Sequence, residues 1–463
     1  MPDSALIPPG STRNNRLRHW VRTVLGLDKA IGFTVLARFW ASAAGLVTIT
    51  LIARFLSPAE QGYYYTFGSL VALQIVFELG FSFVILQMAT HERAHLTITD
   101  AGLIEGDPVA HARLASVLQK SVRWYSVAAL LLAAFLVVAG MHFFSAHRQP
   151  GLAVSWQLPW IVTALAACVT FQLDPVLSFM EGCGFVANVA RVRFFQAVTG
   201  STLAWLALVL HHGLFAPAMV ITGNACVSCI WFLRRRKMLL GLLTYRVGSH
   251  RIHWMTEVWS FQWRIAVSWL CGYFIFQLFN PVLFAYRGAV AAGQMGMSLS
   301  LAGALQSVAI SWINTKAAPF GALIARRQFA QLDTLFFSAL VQSVAVCTAG
   351  AVAIYLGAIW INALHLRFAQ RILTPTLLAL LLGATLINVV VFAEALYLRA
   401  HKQEKFLLNS VLGAVLMIAS TLFLGKYFGA AGMVAGNLAI SLLVGLPLAT
   451  WIFLKYRRLW HGL

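Results

Sequence analysis

Residues 55–74 read FLSPAEQGYYYTFGSLVALQ, and the run continues to FELG at 77–80. This stretch is a short turn containing proline and glycine between two long apolar runs. The second run carries Gln74 and Glu78, which an i,i+4 spacing places on one face of a helix. The turn therefore predicts two joined helices, the second of which presents a glutamine and a glutamate in apolar surroundings.

A weaker copy of this pattern opens the second half of the chain, where residues 287–306 read RGAVAAGQMGMSLSLAGALQ. At a constant offset Ala59 falls on Ala291, and the triplet 72–74 falls on 304–306. This correspondence suggests that the chain consists of two related halves.

The composition is that of an integral membrane protein, with 60% apolar residues, 10% charged residues and a mean hydropathy of +0.79. A spanning helix needs roughly 20 apolar residues, and such runs recur along the whole chain. We predict an all-α bundle of about twelve spans. These are 31–53, 63–89, 122–145, 157–180, 192–211, 215–233, 263–285, 291–315, 334–358, 373–398, 405–424 and 429–453.

The formal net charge of +20 could indicate nucleic-acid binding, but the positions of the charges argue against it. Most Lys and Arg residues fall in the termini and in every second loop, which would all lie on the same side of the membrane. This distribution is the positive-inside bias of membrane proteins. We therefore expect no nucleic-acid partner, a lipid bilayer as the surroundings and cytoplasmic termini. The expected organisation is a basic segment 1–30, a six-helix lobe 31–233, a cytoplasmic linker 234–262, a six-helix lobe 263–453 and a tail 454–463.

Two arginines inside or beside the predicted spans are candidate substrate-binding residues. A charge at the bilayer centre costs about 2.5–3.5 kcal/mol, so such residues suggest function. Arg38 lies in the first span and Arg264 at the start of the seventh. Either side chain could extend to the headgroups, or the two together could clamp a pyrophosphate.

Three carboxylates are candidate ion-coupling residues: Glu78, Asp174 and Glu394. Glu78 is the deepest, and it could carry a proton, pair with an arginine, or stay protonated and bonded to Gln74. Glu394 could equally cap the cytoplasmic end of its helix near Arg399. Coupling to a proton or Na⁺ gradient is therefore a hypothesis.

Two prolines predict helix breaks, at Asp174-Pro175 in the fourth span and at Asn280-Pro281 in the seventh, because proline removes a backbone donor. Broken membrane helices are tolerated where they line a cavity or pack on protein. The uncharged side chains of Gln74, Asn280, Gln306 and Asn388 are further candidate contacts to a sugar.

Other sequence signals argue against metal and nucleotide chemistry. Cys226 and Cys229 stand in an apolar run without further ligands, and no Walker loop is present. We predict no metal and no cofactor. Many aromatic residues near the predicted span ends, Tyr63, Tyr125 and Trp160 among them, are interpreted as an interfacial belt.

The segments ARFLSPAEQGY at 53–63, FELGFS at 77–82 and AAGQ at 291–294 resemble the polysaccharide-biosynthesis transporters of the MOP superfamily. That superfamily contains O-antigen and exopolysaccharide flippases, the lipid II flippase and the MATE antiporters. The resemblance implies two six-helix lobes around a central cavity that opens alternately to the two faces of the membrane. It also implies that Arg38 corresponds approximately to a cavity arginine. The chain lacks the second arginine of span one and the two extra C-terminal spans of lipid II flippases, so that sub-family fits less well.

The resemblance thus implies a bacterial inner-membrane flippase for an undecaprenyl-diphosphate-linked oligosaccharide, an O-antigen (lipopolysaccharide) or exopolysaccharide unit. Such a protein would deliver this unit to the periplasmic leaflet and work with other membrane proteins of polysaccharide assembly. A MATE-like exporter of small organic cations is the alternative, and it predicts a negatively charged cavity. An enzyme would need a long outer loop with catalytic residues, so no enzymatic activity is expected. A non-transporting scaffold would tolerate the loss of Arg38 and Glu78.

Overall fold

The computed structural model describes residues 29–98, 104–149, 151, 153–248, 251–252, 254, 259–401 and 405–461. Almost all of them are helical. The helices of the first half are α1 (Lys29–Phe55), α2 (Pro58–Val71), α3 (Ile75–Glu78), α4 (Phe81–Arg93), α5 (Pro108–Ala146), α6 (Gln157–Gly182), α7 (Val186–Val209), α8 (Ala216–Arg234) and α9 (Arg236–Thr244). Those of the second half are α10 (Trp259–Phe276), α11 (Phe279–Arg287), α12 (Ala289–Asn314), α13 (Ala317–Ala325), α14 (Phe329–Ala363), α15 (Pro375–Ala400), α16 (Leu407–Ile440) and α17 (Leu446–His461). The predicted segment 1–30 lies almost entirely outside the described residues.

Within the described residues, ten helices are long and apolar enough to cross a membrane, and the bent pair Pro58–Glu78 and Phe81–Arg93 gives an eleventh. The last of them extends over 54 residues, from Leu407 to Trp460. A straight helix of that length would measure about 80 Å, whereas the hydrocarbon core of a bilayer is only about 30 Å thick. This segment must therefore contain more than one span.

The chain reverses direction at Gly429, which has φ 61° and ψ −140°. Gly436 packs against Ser420, and Gly432 packs against the Leu424 carbonyl. Ser420 and Gly436 would lie about 24 Å apart in a straight helix. The segment is thus an antiparallel pair of spans, close to the predicted 405–424 and 429–453. The expected all-α membrane bundle of about twelve spans is confirmed.

Capping chemistry fixes the start of α2. The Ser57 hydroxyl accepts a hydrogen bond from the Glu60 amide at 3.2 Å, and the Glu60 carboxylate accepts one from the Ser57 amide at 2.8 Å. This capping box, with Pro58 at the first helical position, begins the second span before the predicted residue 63. The span then breaks at Leu79 and Gly80, both left-handed at φ 50° and 70°, and bends by 46°.

The two proline predictions have different outcomes. The break predicted at Asp174-Pro175 is wrong, because α6 continues through a buried Pro175. Removal of one backbone hydrogen bond does not end a helix that is supported by packing on both sides. The break near Asn280-Pro281 is present, but it falls at residues 277–278, between α10 and α11. Pro281 then stands in the first turn of α11, where its missing donor costs little.

The connection expected at 90–121 is more structured than predicted. Strands β1 (Leu96–Ile98) and β2 (Ile104–Gly106) pair antiparallel. Asp107 caps the next helix by accepting from the Val109 amide at 3.1 Å. Helix α5 consequently begins at Pro108 rather than at residue 122, and its first turns precede the apolar run on which the prediction was based.

The helices of each half pack mainly on one another, with one exception. Helix α2 belongs to the first half by sequence but packs chiefly on α12 of the second half. A Cβ atom at Gly293 would lie 2.9 Å from the Gly62 nitrogen, and Gly296 packs against Tyr65. The two helices run in the same direction, so the two stretches that resemble each other in sequence meet face to face. We call the end of the bundle that holds this contact the Pro58 end, and the opposite end the Asn314 end.

The interfacial interpretation of the aromatic residues is wrong for several of them. Four of these side chains are at most 5% exposed: Tyr63, Tyr125, Trp156 and Trp160. Tyr63 stacks on Trp156 at 6.3 Å between ring centroids. These rings form the core of the first half, whereas Trp124 is 44% exposed, as a belt residue would be.

Candidate functional site

A cavity of about 740 Å³ lies between the two halves, beside the contact of α2 with α12. Helices α2, α8, α10, α11, α12, α15 and α16 all contribute to its wall, which we call the central cavity. Its polar side chains are Tyr64, Tyr65, Ser69, Gln277, Asn280, Ser300, Gln306, Thr385, Asn388 and Asn437. Among the described residues that line it, none is charged. The wall thus offers hydroxyl and amide groups, which bond to neutral polar ligands such as sugars.

A smaller cavity of about 320 Å³ adjoins the central cavity toward the Asn314 end. The two share Gly303, Gln306 and Ile310 of α12. Arg38 of α1 lines the smaller cavity, and its side chain is exposed. The structure therefore places Gln306 between the neutral wall of the central cavity and the one cation in the described lining of the adjoining cavity.

A hydrogen-bonded group joins the two halves in the wall of the central cavity. The Asn280 side-chain amide donates to the Ser69 hydroxyl at 3.1 Å, and the Tyr273 hydroxyl donates to the Ser69 carbonyl at 3.2 Å. The side-chain oxygen of Asn280 is buried and accepts no hydrogen bond within the described part of the chain. An unsatisfied buried acceptor costs about 1–3 kcal/mol, and a ligand hydroxyl could remove that cost.

The Pro58 end is closed by hydrogen bonds that cross between the halves. The Gln61 side chain, 1% exposed, donates to the Gly293 carbonyl at 2.8 Å and to the Arg371 carbonyl at 2.9 Å. Arg371 in turn donates to the Leu56 carbonyl at 2.6 Å. We call these residues the Arg371 cluster. Because Gly62 packs on the Ala289 backbone beside the cluster, the two halves are in close contact at this end of the central cavity.

Arg371 keeps its charge in this setting. Burial lowers the pKa of its guanidinium from the ordinary value, and the nearby Glu60 carboxylate opposes that shift. The ordinary pKa of arginine is so high that the group stays ionised at neutral pH. Its hydrogen bond to the Leu56 carbonyl is thus charge-assisted and stronger than a neutral one.

The predicted ion-coupling residues occupy two places. Glu78 hydrogen-bonds to Ser82, whose hydroxyl lies 3.3 Å from that of Tyr125. Asp174 interacts electrostatically with Glu78 and with Arg193. Both carboxylates belong to the first half, where Asp174 is exposed, and neither is among the described residues that line the central cavity.

The other predicted site residues lie apart from the central cavity. Glu394 is 4% exposed and accepts from the Thr450 hydroxyl at 2.9 Å, between α15 and α17. Arg264 is exposed and stacks over Trp263, with its guanidinium 5.5 Å from the ring centroid. Gln74 ends a 3₁₀ turn and lines neither cavity. Of the predicted substrate contacts, Asn280 and Gln306 line the central cavity and Arg38 lines the adjoining one.

Sequence reasoning missed two charged clusters. The first is the Arg371 cluster, although Gln61 stands within residues 55–74, the turn and helix that predict the second span. The second lies at the Asn314 end, where Arg457 donates twice to the Asp333 carboxylate, at 3.0 and 2.7 Å. The Tyr397 hydroxyl donates to the same carboxylate at 2.6 Å. No spacing rule links residues so far apart in the chain, so only Gln61 carried a sequence signal.

No family model matches the sequence, and no curated protein matches it either. Similar solved structures do exist. The chain is similar to an inward-facing multidrug resistance MATE transporter of the MOP superfamily, with a TM-score of 0.57 and 14% identity over 96% of this chain and 99% of that one. It is similar to the lipid II flippase MurJ in an inward closed conformation, with a TM-score of 0.58 and 11% identity over 92% and 89%. It is also similar to a eukaryotic MATE transporter, with a TM-score of 0.55 and 12% identity over 96% of this chain and 99% of that one.

These similarities define the class of fold. At 11–14% identity they establish architecture and do not establish substrate. The chain is a multi-pass membrane protein with the all-α fold that MATE transporters and the lipid II flippase share. This fold matches the one implied by the resemblance at 53–63, 77–82 and 291–294.

Proposed function

We propose that this protein is a flippase that moves a lipid-linked oligosaccharide across the bacterial inner membrane. The observation that carries the proposal is the chemistry of the central cavity. Its wall presents hydroxyls from both halves, amides from the second half and no carboxylate among the described lining residues, while Arg38 stands in the adjoining cavity. Such a wall suits an uncharged glycan, and a nearby guanidinium suits a diphosphate.

The distribution of contacts supports alternating access. The two halves are held together at the Pro58 end by the Arg371 cluster and by the close contact of α2 with α12. The adjoining cavity extends the central cavity toward the Asn314 end. With the orientation favoured by the positive-inside bias, the Pro58 end is periplasmic and the site faces the cytoplasm, where a lipid-linked glycan is assembled. Opening the Arg371 cluster while closing the other end would release it to the periplasmic leaflet.

The proposed substrate is an undecaprenyl-diphosphate-linked unit of O-antigen or exopolysaccharide. Its polar headgroup would pass through the central cavity while its lipid tail stays in the bilayer. Asn280 and Gln306 would bond to sugar, and Arg38 would hold the diphosphate. Arg264 and Gln74 lie outside the described lining of both cavities, so the proposal gives them no contact with the substrate.

A MATE-like exporter of organic cations is the second candidate, and a specific observation favours it. Asp174 interacts electrostatically with Glu78, and both carboxylates belong to the first half. Such a carboxylate pair could bind a cation or carry a proton. The same pair could instead supply proton or Na⁺ coupling for the flippase, with Glu394 as a third acidic site.

The test is the replacement Arg38→Ala in a strain that depends on this protein for surface glycan. At matched protein level we expect surface glycan to fall at least about tenfold, because a diphosphate would lose its charge-assisted partner. Lipid-linked precursor should accumulate at the same time. Quantitative glycan staining and mass spectrometry of extracted lipids measure the two pools.

Arg264→Ala is the matched control, because that arginine is exposed and lines neither cavity. It should leave both pools unchanged. Normal surface glycan in the Arg38→Ala strain would contradict the diphosphate role. Efflux of organic cations that depends on Glu78 and Asp174 but not on Arg38 would favour the exporter instead.

A further inference from the structure

A second large depression lies at the Asn314 end, away from the described lining of the central cavity. It occupies about 1080 Å³ between α7, α8 and the first turn of α9. Gly213, just before α8, packs on Leu56 at the Pro58 end, so α8 must end at the opposite side of the bundle. At that end the chain turns sharply at Arg235, between α8 and α9. We call this depression the basic groove.

The basic groove collects five cations. Four of them, Arg234 to Lys237, are consecutive at the turn, and the fifth is Arg191 of α7. Arg235 lies with its guanidinium 4.8 Å from the Phe185 ring centroid, and Arg191 lies 5.6 Å from that of Phe195. Ring contacts of this kind hold a guanidinium in place without neutralising it.

No carboxylate lines the basic groove among the described residues. The acidic residue nearest in sequence to Arg191, Glu181, forms an ion pair with Arg193 at 3.1 Å, and Arg193 does not line the groove. Elsewhere at the Asn314 end Arg457 has a carboxylate partner in Asp333, at 2.7 Å. The groove therefore holds a concentration of positive charge that an anion would balance.

The wall below these cations is apolar and faces outward. Phe195, Ile230 and Leu233 are 42%, 54% and 64% exposed. All three belong to membrane-spanning helices, and Leu233 immediately precedes the first of the consecutive cations. Hydrocarbon in the span and cations at its end match the two parts of a phospholipid, in that order. A soluble anion would leave the apolar wall uncovered.

We propose that the basic groove is a binding site for an anionic phospholipid of the surrounding leaflet. The phosphate would lie among Arg191 and the four consecutive cations, and an acyl chain would lie along Phe195, Ile230 and Leu233. The site is independent of the transported substrate, because its residues are not among those described as lining the central cavity.

The test uses the full-length protein purified in a neutral detergent. Phosphatidylglycerol or phosphatidylcholine is added, and the bound lipid is measured by native mass spectrometry. The variant R234Q/R236Q/K237Q removes three exposed cations of the groove. The control K316Q/R326Q/R327Q removes three cations at the same end of the bundle that do not line the groove. Thermal unfolding verifies that each variant is folded, and the single variant K237Q replaces the triple one if it is not.

We expect the wild-type protein to prefer phosphatidylglycerol and the groove variant to bind it at least about tenfold more weakly. The control should bind it as the wild type does. The double variant I230S/L233S should weaken the binding of long-chain phosphatidylglycerol more than the binding of a short-chain analogue.

Three results would overturn the proposal. One is equal binding of the two lipids by the wild-type protein. Another is an equal loss of phosphatidylglycerol binding in the groove variant and in the control. The third is displacement of the lipid by inorganic pyrophosphate without any dependence on chain length, which would assign the groove to a soluble anion.

Discussion

Glu78 is the last residue of α3, and the chain turns into left-handed backbone directly after it. Its carboxylate bonds to Ser82 beyond the break and interacts with Asp174 of α6. A change in the charge of Glu78 would therefore alter contacts between three helices of the first half. This arrangement connects an ionisable group to a bend, which a transport cycle could use.

Replacing Glu78 by Gln keeps its size and most of its hydrogen bonding but removes its titration. If Glu78 carries the coupled proton, transport in membrane vesicles should lose its dependence on an imposed pH gradient. Glu105→Gln, at an exposed position in β2, is the control and should keep that dependence. Full dependence on the gradient in the Glu78→Gln variant would remove Glu78 from the coupling mechanism.

At the scale of the element, the broken second span is specified by two residues. Leu79 adopts φ 50°, which costs an L-residue about 1–2 kcal/mol, so surrounding contacts must offset that cost. Gly80 follows at φ 70°, and a Cβ atom there would lie 2.5 Å from the Cγ2 atom of Ile265. Helix α4 thus approaches α10 of the second half at a point where only glycine fits.

We expect Gly80→Val to destabilise the protein by roughly 2 kcal/mol or more, through backbone strain and the contact with Ile265. Thermal unfolding in detergent measures the change. Gly357→Ala in α14 is the matched control, because nothing lies within 4 Å of its added Cβ atom. It should be neutral or slightly stabilising, since alanine favours helix. A Gly80→Val variant as stable as the control would show that the bend does not depend on glycine.

In the molecule as a whole, two features hold the halves together at the same end of the central cavity. They are the contact of α2 with α12 and the Arg371 cluster. Gln61 and Arg371 link the halves through backbone carbonyls rather than through a buried ion pair. Hydrogen bonds of this kind can break and re-form with water as partner. The closed Pro58 end is thus suited to reversible opening.

Arg371→Ala should shift the molecule toward opening at the Pro58 end, because a hydrogen bond to a charged group contributes about 1.5–3 kcal/mol. The reporter is Ser300→Cys in the central cavity, in a chain whose six native cysteines are replaced. We expect an impermeant maleimide added to the periplasm to label it several-fold faster in the Arg371→Ala background. Arg367→Ala, at an exposed position in the same 3₁₀ turn, is the control. An unchanged labelling rate in a folded Arg371→Ala protein would exclude this cluster as a gate.

The class of fold could be predicted from the amino-acid sequence, because membrane spans depend on the local length of apolar runs. Apolar length predicted the spans, including the two that meet at Gly429. The resemblance at 53–63 and 291–294 picked out the two helices that meet between the halves. The rule for proline failed at Pro175, where α6 continues through a packed region, and apolar length alone missed the start of α5 at Pro108, which the Asp107 cap determines.

Which residues form the site depends on how the helices pack. Among the described residues, Asn280 and Gln306 line the central cavity, whereas Gln74 and Arg264 are not part of its lining. Gln61 and Arg371 are 310 residues apart and meet because α2 and the 3₁₀ turn that holds Arg371 both pack on α12. A sequence states which groups are available, but their partners follow from contacts between helices that are remote in the chain.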